Sequence, residues 1–169
     1  MIIISIIIIL ISFFIQGLTS NYLGYTYSNL SFFSTIYILI ALLVLNPYFE
    51  NKKKYLIILV IFGLLTDIVY TNTFILNTCL FITSYYLSKM FHFFFPYNWV
   101  TISISNLLCI FAYHVISFLF LIILKYDTYT FSNLLKVLSH SILMTFIYST
   151  IIYTIIVFIV KKFELKEVK

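Results

Sequence analysis

The sequence predicts an all-α integral membrane protein, a single polytopic domain over residues 1–169 with six transmembrane helices. Three observations carry this reading. Hydrophobic residues make up 63% of the chain and charged residues 9%, whereas soluble domains carry about 25% charged residues. The mean hydropathy is +1.14, too apolar for a water-soluble core of this size to hide. Finally, the apolar runs repeat at about the length a bilayer requires, roughly 20 residues with a range of about 17–25.

The first helix is expected over 2–18. It lacks a basic leader and a small-residue cleavage site, so it reads as an anchored helix. Ser5, Ser12 and Gln16 share one of its faces. The stretch TSNYLGYTYSN, with Gly24, reads as a polar loop. The second helix is expected over 30–45 and is closed by Asn46-Pro47. A basic loop from Glu50 to Lys54 leads to a short third helix over 55–70, and Thr71-Asn72-Thr73 makes a tight turn into a fourth over 74–90.

Lys89, His92, Pro96, Asn98 and Trp99 read as an interfacial loop, with Trp99 at headgroup level. The fifth helix follows over 100–124, then a polar turn at Lys125, Tyr126 and Asp127. A stretch over 130–139 begins at the interface, and the sixth helix runs over 140–160 to the stop at Lys161-Lys162. The remaining FELKEVK is an exposed tail.

The net charge of +5 comes with lysine alone on the basic side. With six spans, Lys52, Lys53, Lys54, Lys89, Lys161, Lys162, Lys166 and Lys169 share one side, and only Lys125 and Lys136 the other. The positive-inside rule then places both termini in the cytoplasm. No basic stripe suits nucleic acid. Cys79 and Cys109 lie in apolar runs and read as small buried thiols. The abundance of isoleucine, lysine, tyrosine and phenylalanine, with arginine absent and alanine scarce, reads as the bias of an AT-rich genome and not as aromatic chemistry.

In lipid, small and weakly polar residues hold helices together. Four-residue spacing marks Thr101, Ser105 and Cys109 on the fifth helix and Ser141, Thr145 and Ser149 on the sixth. Asn77, Ser84 and Ser88 share a face of the fourth. These read as packing seams, with a substrate-lining role as the alternative. The ionisable residues inside the apolar runs are Asp67, His114 and His140. At 1.5 Å per residue, Asp67 stands roughly 18 Å from the start of its helix, in the outer half of the membrane, and the two histidines count to the same level. That level reads either as a proton or ion site or as a polar cluster that fixes packing. The second is preferred, because transport sites carry more polar residues and broken helices near the midplane. No catalytic set, metal-ligand spacing or cofactor motif is visible, so no enzyme activity, metal or cofactor is expected.

Gly63 lies one turn before Asp67 on the same face. It lets a neighbouring helix approach, and the carboxyl then needs a polar partner. Asn77, His140 and a backbone amide at the start of the fourth helix are the candidates, and an asparagine at position 67 is expected to serve nearly as well as the acid.

The run GLLTDIVYTNTFILN, Gly63 to Asn77, resembles the signature of the rod shape-determining protein MreD family, in the form Firmicute members carry. That family has a Gly-x-x-x-Asp step near the end of its third helix, then a short turn. Length, six-span hydropathy and the short charged tail are similar over nearly the whole chain. Members often carry glycine where Ile75 stands, and this departure implies looser backbone approach at the turn. The resemblance implies a non-enzymatic component of the bacterial cell-elongation machinery in the cytoplasmic membrane, controlling cell shape and lateral peptidoglycan synthesis. Its partner would be an MreC-like single-span protein, working indirectly with MreB, RodA and a class B penicillin-binding protein.

The bundle implied resembles the S component of energy-coupling-factor transporters, which supplies the alternative of a vitamin or small-molecule uptake subunit. S components dock through small residues on the first helix, where this chain offers only Ser5 and Ser12 among bulky isoleucines.

Overall fold

The computed structural model describes residues 2–22, 35–49, 51–71, 73–123 and 130–162. They form six α-helices and, among the described residues, no strand: α1 (Ile2–Tyr22), α2 (Tyr37–Leu45), α3 (Lys52–Thr66), α4 (Leu76–Phe94), α5 (Trp99–Ile123) and α6 (Phe131–Lys162). A 3-10 turn, Asn46–Tyr48, follows α2, and a π-helical turn, Asp67–Thr71, extends α3.

The short α2 is the centre of the bundle. All nine of its residues are buried, one of the two settings, protein core or lipid, open to a helix apolar on every side. The other five helices close a ring around it. α1 meets α3 and its π turn where the Phe13 ring lies tilted against those of Phe62 and Tyr70, and α3–α4, α4–α5 and α5–α6 pack in sequence. The ring closes where the Tyr148 hydroxyl of α6 donates to Ser12 Oγ of α1 at 2.8 Å.

Small polar residues are set within the apolar interior, and the exterior is apolar too. Ser12, Ser84, Ser105, Ser141 and Ser149 are buried, while Ile3, Phe14, Ile57, Leu119 and Phe158 are among many exposed apolar side chains. Lipid permits that exterior, and interhelical hydrogen bonds and close packing suit that interior. Among the described residues, three helical stretches are long and apolar enough to cross a membrane: Lys52–Thr71, Trp99–Phe120 and Phe131–Lys162. Ile3–Thr19 and Tyr37–Tyr48 are shorter apolar helices. The chain is therefore an all-α protein with membrane-embedded helices.

Several boundaries differ from the sequence reading. α2 begins at Tyr37, not at 30: Thr35 and Ile36 are non-helical, and residues 30–34 lie outside the described residues. Here a side chain and a backbone amide bond to other helices. Thr35 Oγ1 donates to the Ser141 carbonyl at 3.4 Å, and Ile38 N–H donates to Gln16 Oε1 at 3.3 Å. Of the expected basic loop, Lys52, Lys53 and Lys54 form the first turn of α3, because Asn51 Oδ1 accepts the N–H groups of Lys53 and Lys54 at 3.0 and 3.2 Å, an N-cap, and Glu50 lies outside the described residues.

Lys89 and His92 lie on α4, which continues to Phe94, and not in the following loop. The stretch 131–139 is helical and continuous with α6. Phe131, Leu134, Leu135 and Leu138 keep helical spacing there, with no glycine or proline to break it. At 32 residues α6 is about 48 Å long, longer than the roughly 30 Å hydrocarbon core, so it extends beyond it or tilts. The expected polar turn at 125–127, the loop around Gly24 and the tail from 163 fall outside the described residues.

The seams hold with one shift. Ser105 Oγ lies 3.2 Å from Ser88 Oγ, and Cys109 Sγ donates to the Ser84 carbonyl at 3.4 Å, joining α5 to α4. Ser149 Oγ donates to Ser103 Oγ at 3.0 Å, joining α6 to α5. Ser103 was not anticipated. Thr101, by contrast, stands at the helix start, where its hydroxyl accepts the Asn98 N–H at 2.9 Å. Cys109 is buried, but Cys79 is exposed on the outer side of α4, which corrects the expectation of two buried thiols.

Candidate functional site

The corner between α3 and α4 holds a buried carboxylate. Asp67 is 1% exposed and opens the π turn, whose wider winding carries the chain out of α3. Its Oδ1 accepts three hydrogen bonds, from Thr73 Oγ1 at 2.6 Å, Asn77 N–H at 2.9 Å and Asn77 Nδ2 at 3.0 Å. Its Oδ2 accepts two from Thr78, the backbone N–H at 3.1 Å and Oγ1 at 2.9 Å.

The physical logic is that of a helix cap supplied from another helix. The first N–H groups of any helix lack an intrahelical partner. The residue preceding α4, Ile75, makes no side-chain cap. The Asp67 carboxylate takes its place, receiving two of those N–H groups and meeting the positive end of the helix dipole. A charged group in lipid costs about 2.5–3.5 kcal/mol on insertion scales, and these donors offset that cost.

The network extends to α5. Asn77 Nδ2 also donates to Thr71 Oγ1 at 2.7 Å, and Thr71 and Thr73 hydroxyls lie 2.7 Å apart. The Tyr113 hydroxyl of α5 donates to Asn77 Oδ1. One acid thus ties three helices together.

Two backbone features shape the corner. A Cβ on Gly63 would lie 2.7 Å from the Cα of Thr78, so α3 and α4 approach to a distance that only glycine permits. Ile75 has φ 64°, ψ −1°, the left-handed conformation that costs an ordinary L-residue about 1–2 kcal/mol. The departure from glycine at 75 therefore does not loosen the turn. The chain keeps a glycine conformation with an isoleucine, and the Gly63–Thr78 approach stays tight.

Of the residues singled out from sequence, Gly63, Asp67 and Asn77 are brought together. Two of the three partners anticipated for Asp67, Asn77 and the amides at the start of α4, hold it, and His140 on α6 supplies none of these bonds. His114 is half-buried on α5 with its ring 5.5 Å from that of Tyr113, and His140 is half-buried. Among the described residues no three His, Cys, Asp or Glu side chains gather where a metal could sit. Sequence reasoning missed Thr71, Thr73, Thr78 and Tyr113. A signal for the last existed: the four-residue spacing of Thr101, Ser105 and Cys109 continues to Tyr113, the neighbour of the histidine that drew attention instead.

The geometry also changes the expectation for asparagine at 67. Both carboxylate oxygens accept N–H groups, which cannot themselves accept. An amide nitrogen in either position would face a donor.

Comparison of the chain with protein-family models, with curated proteins and with solved structures finds no match.

Proposed function

We propose that this chain is an MreD-like membrane scaffold of the bacterial cell-elongation machinery, pairing with an MreC-like single-span protein to control cell shape and lateral peptidoglycan synthesis. In this reading it crosses the cytoplasmic membrane six times with both termini inside, and it is not an enzyme. The observation that carries the reading is the α3–α4 corner. Gly63 and Asp67, the two fixed positions of the family's step, act on the same first turn of α4, one by close approach to Thr78 and the other by bonding Asn77 and Thr78. The left-handed backbone at Ile75 supports it further, because glycine is the residue members often carry there. With its hydrogen-bond acceptors occupied, Asp67 acts as a clamp and not as an ion relay.

The test is co-purification in mild detergent with an MreC-like protein from the same genome, cut down to its membrane helix and adjoining segment. Retention of that fragment is expected, since recognition runs through helices in the bilayer. Loss of all binding to the fragment, with binding kept to the whole partner, would move recognition outside the membrane, and no binding to either would end the reading. Reporter fusions at Lys54, Phe95 and Lys169 should read cytoplasmic and those near Tyr25 and Asp127 external.

A second reading, the S component of an energy-coupling-factor transporter, draws on one observation. Among the described residues, Asn106 Nδ2 and Thr145 Oγ1 are buried without a hydrogen-bond partner, as atoms awaiting a ligand would be. Against it, Ser5 and Ser12 of α1 are buried while Ile3, Ile7, Ile11 and Phe14 face outward, so no small-residue face is open for docking. Tight binding of a vitamin by the purified chain would favour this reading over the scaffold.

A further inference from the structure

The α3–α4 seam has a charge at each end. At the outer end stands Asp67. The pairing of Gly63 with Thr78 sets the register of these antiparallel helices, and Tyr55 against Tyr85, ring centroids 5.3 Å apart, agrees with it. Carried eleven residues further from that pairing, about three turns on each helix, the same register sets Lys52 opposite Lys89.

Lys52 is pinned there, since its Nζ donates to the Asn46 carbonyl at 2.8 Å. Lys53 and Lys54 follow on the first turn of α3, and all four lysines are exposed. Asp67 is the one acidic residue among the described residues. Glu50, outside them, adds one negative charge against four positive ones. Beside Lys89 on α4, one turn toward the Asp67 end of the seam, Tyr86 is 55% exposed, an apolar surface that leads from the basic cluster along the helix.

We propose that Lys52 and Lys89, flanked by Lys53 and Lys54, clamp the phosphate of an anionic phospholipid whose acyl chain lies along Tyr86. Charge complementarity selects the headgroup, because juxtamembrane lysine clusters attract anionic lipid. The adjoining apolar strip selects a lipid over a free anion. The inference rests on the membrane setting of the helices and is independent of the MreD reading.

The experiment is native mass spectrometry of the detergent-purified chain with added phosphatidylglycerol or phosphatidylcholine. Phosphatidylglycerol should be retained preferentially. Each lysine near an anionic surface contributes about a fivefold factor, so Lys52→Gln with Lys89→Gln should weaken retention roughly thirtyfold. Lys161→Gln with Lys162→Gln, a lysine pair on another helix, should change it by less than about threefold, and Lys89→Arg should retain the lipid. If the double variant does not fold, Lys89→Gln alone carries the test at about fivefold. Undiminished phosphatidylglycerol retention in the folded variants would overturn the proposal. So would an equal loss of phosphatidylcholine, or full displacement by millimolar inorganic phosphate, which would mark a free-anion site.

Discussion

Asp67 and Thr78 are joined twice. One carboxylate oxygen, Oδ2, accepts both the backbone N–H and the hydroxyl of Thr78, at 3.1 and 2.9 Å. Because Oδ1 accepts N–H groups as well, Asp67→Asn should destabilise the bundle by about 1–3 kcal/mol, the cost of a buried donor without an acceptor. Asp67→Leu removes every acceptor at the start of α4 and should cost more, about 3 kcal/mol or above. Thermal or denaturant unfolding in mild detergent reads both. An asparagine variant as stable as the parent would refute the donor-facing geometry.

The two described glycines test how close approach is enforced. On Gly63 a Cβ would meet backbone, the Thr78 Cα at 2.7 Å, whereas on Gly17 it would meet the end of a side chain, the Tyr70 hydroxyl at 2.8 Å. Backbone cannot step aside without moving the corner. Gly63→Ala should therefore cost about 1–3 kcal/mol, as overpacking does. Gly17→Ala should cost less, limited to disturbing the bond from Tyr70 to the Phe13 carbonyl. Equal melting temperatures for the two variants would contradict this ordering.

Ile75 offers a gain. Its left-handed backbone carries about 1–2 kcal/mol of strain, and glycine would remove that strain at an unfolded-state entropy cost of about 0.4–1 kcal/mol. With its side chain 38% exposed, little packing is lost. Ile75→Gly should raise stability by up to about 1 kcal/mol. A lower unfolding midpoint would show that the isoleucine side chain holds the corner by contacts worth more than the strain.

The sequence showed the helices and the polar seams because lipid leaves a blunt record: apolar runs of spanning length, lysines at their ends, serines and threonines at four-residue spacing. It showed Asp67 for the same reason, a carboxylate where few can stand. It did not show that α2 is short and central, since apolar residues pack against lipid or protein alike and periodicity cannot tell the two. Nor did it show the caps that set helix starts. Asn51 and Gln16 act through side chains whose partners depend on backbone path. Tyr113 was hidden among fifteen tyrosines, and only its register on α5 distinguishes it.

Tyr113 and Ser103 separate a network bond from a solitary one. Both are interhelical, but Ser103 meets Ser149 as a neutral pair, while Tyr113 holds the Asn77 amide that in turn grips Asp67. Neutral interhelical bonds in membranes average about 0.6 kcal/mol, because the separated helices find other partners. Ser103→Ala should therefore lower stability by about that amount. Tyr113→Phe frees the Asn77 carbonyl and loosens its hold on a carboxylate, so it should cost about 1–2 kcal/mol, between a neutral bond and one to a charged group. The decisive measurement is a double-mutant cycle. Tyr113→Phe and Asp67→Leu should be coupled, with an interaction energy above about 0.5 kcal/mol, whereas Ser103→Ala and Asp67→Leu should add. If Tyr113 and Asp67 also added independently, Asn77 would not transmit between them, and α5 would lie outside the clamp.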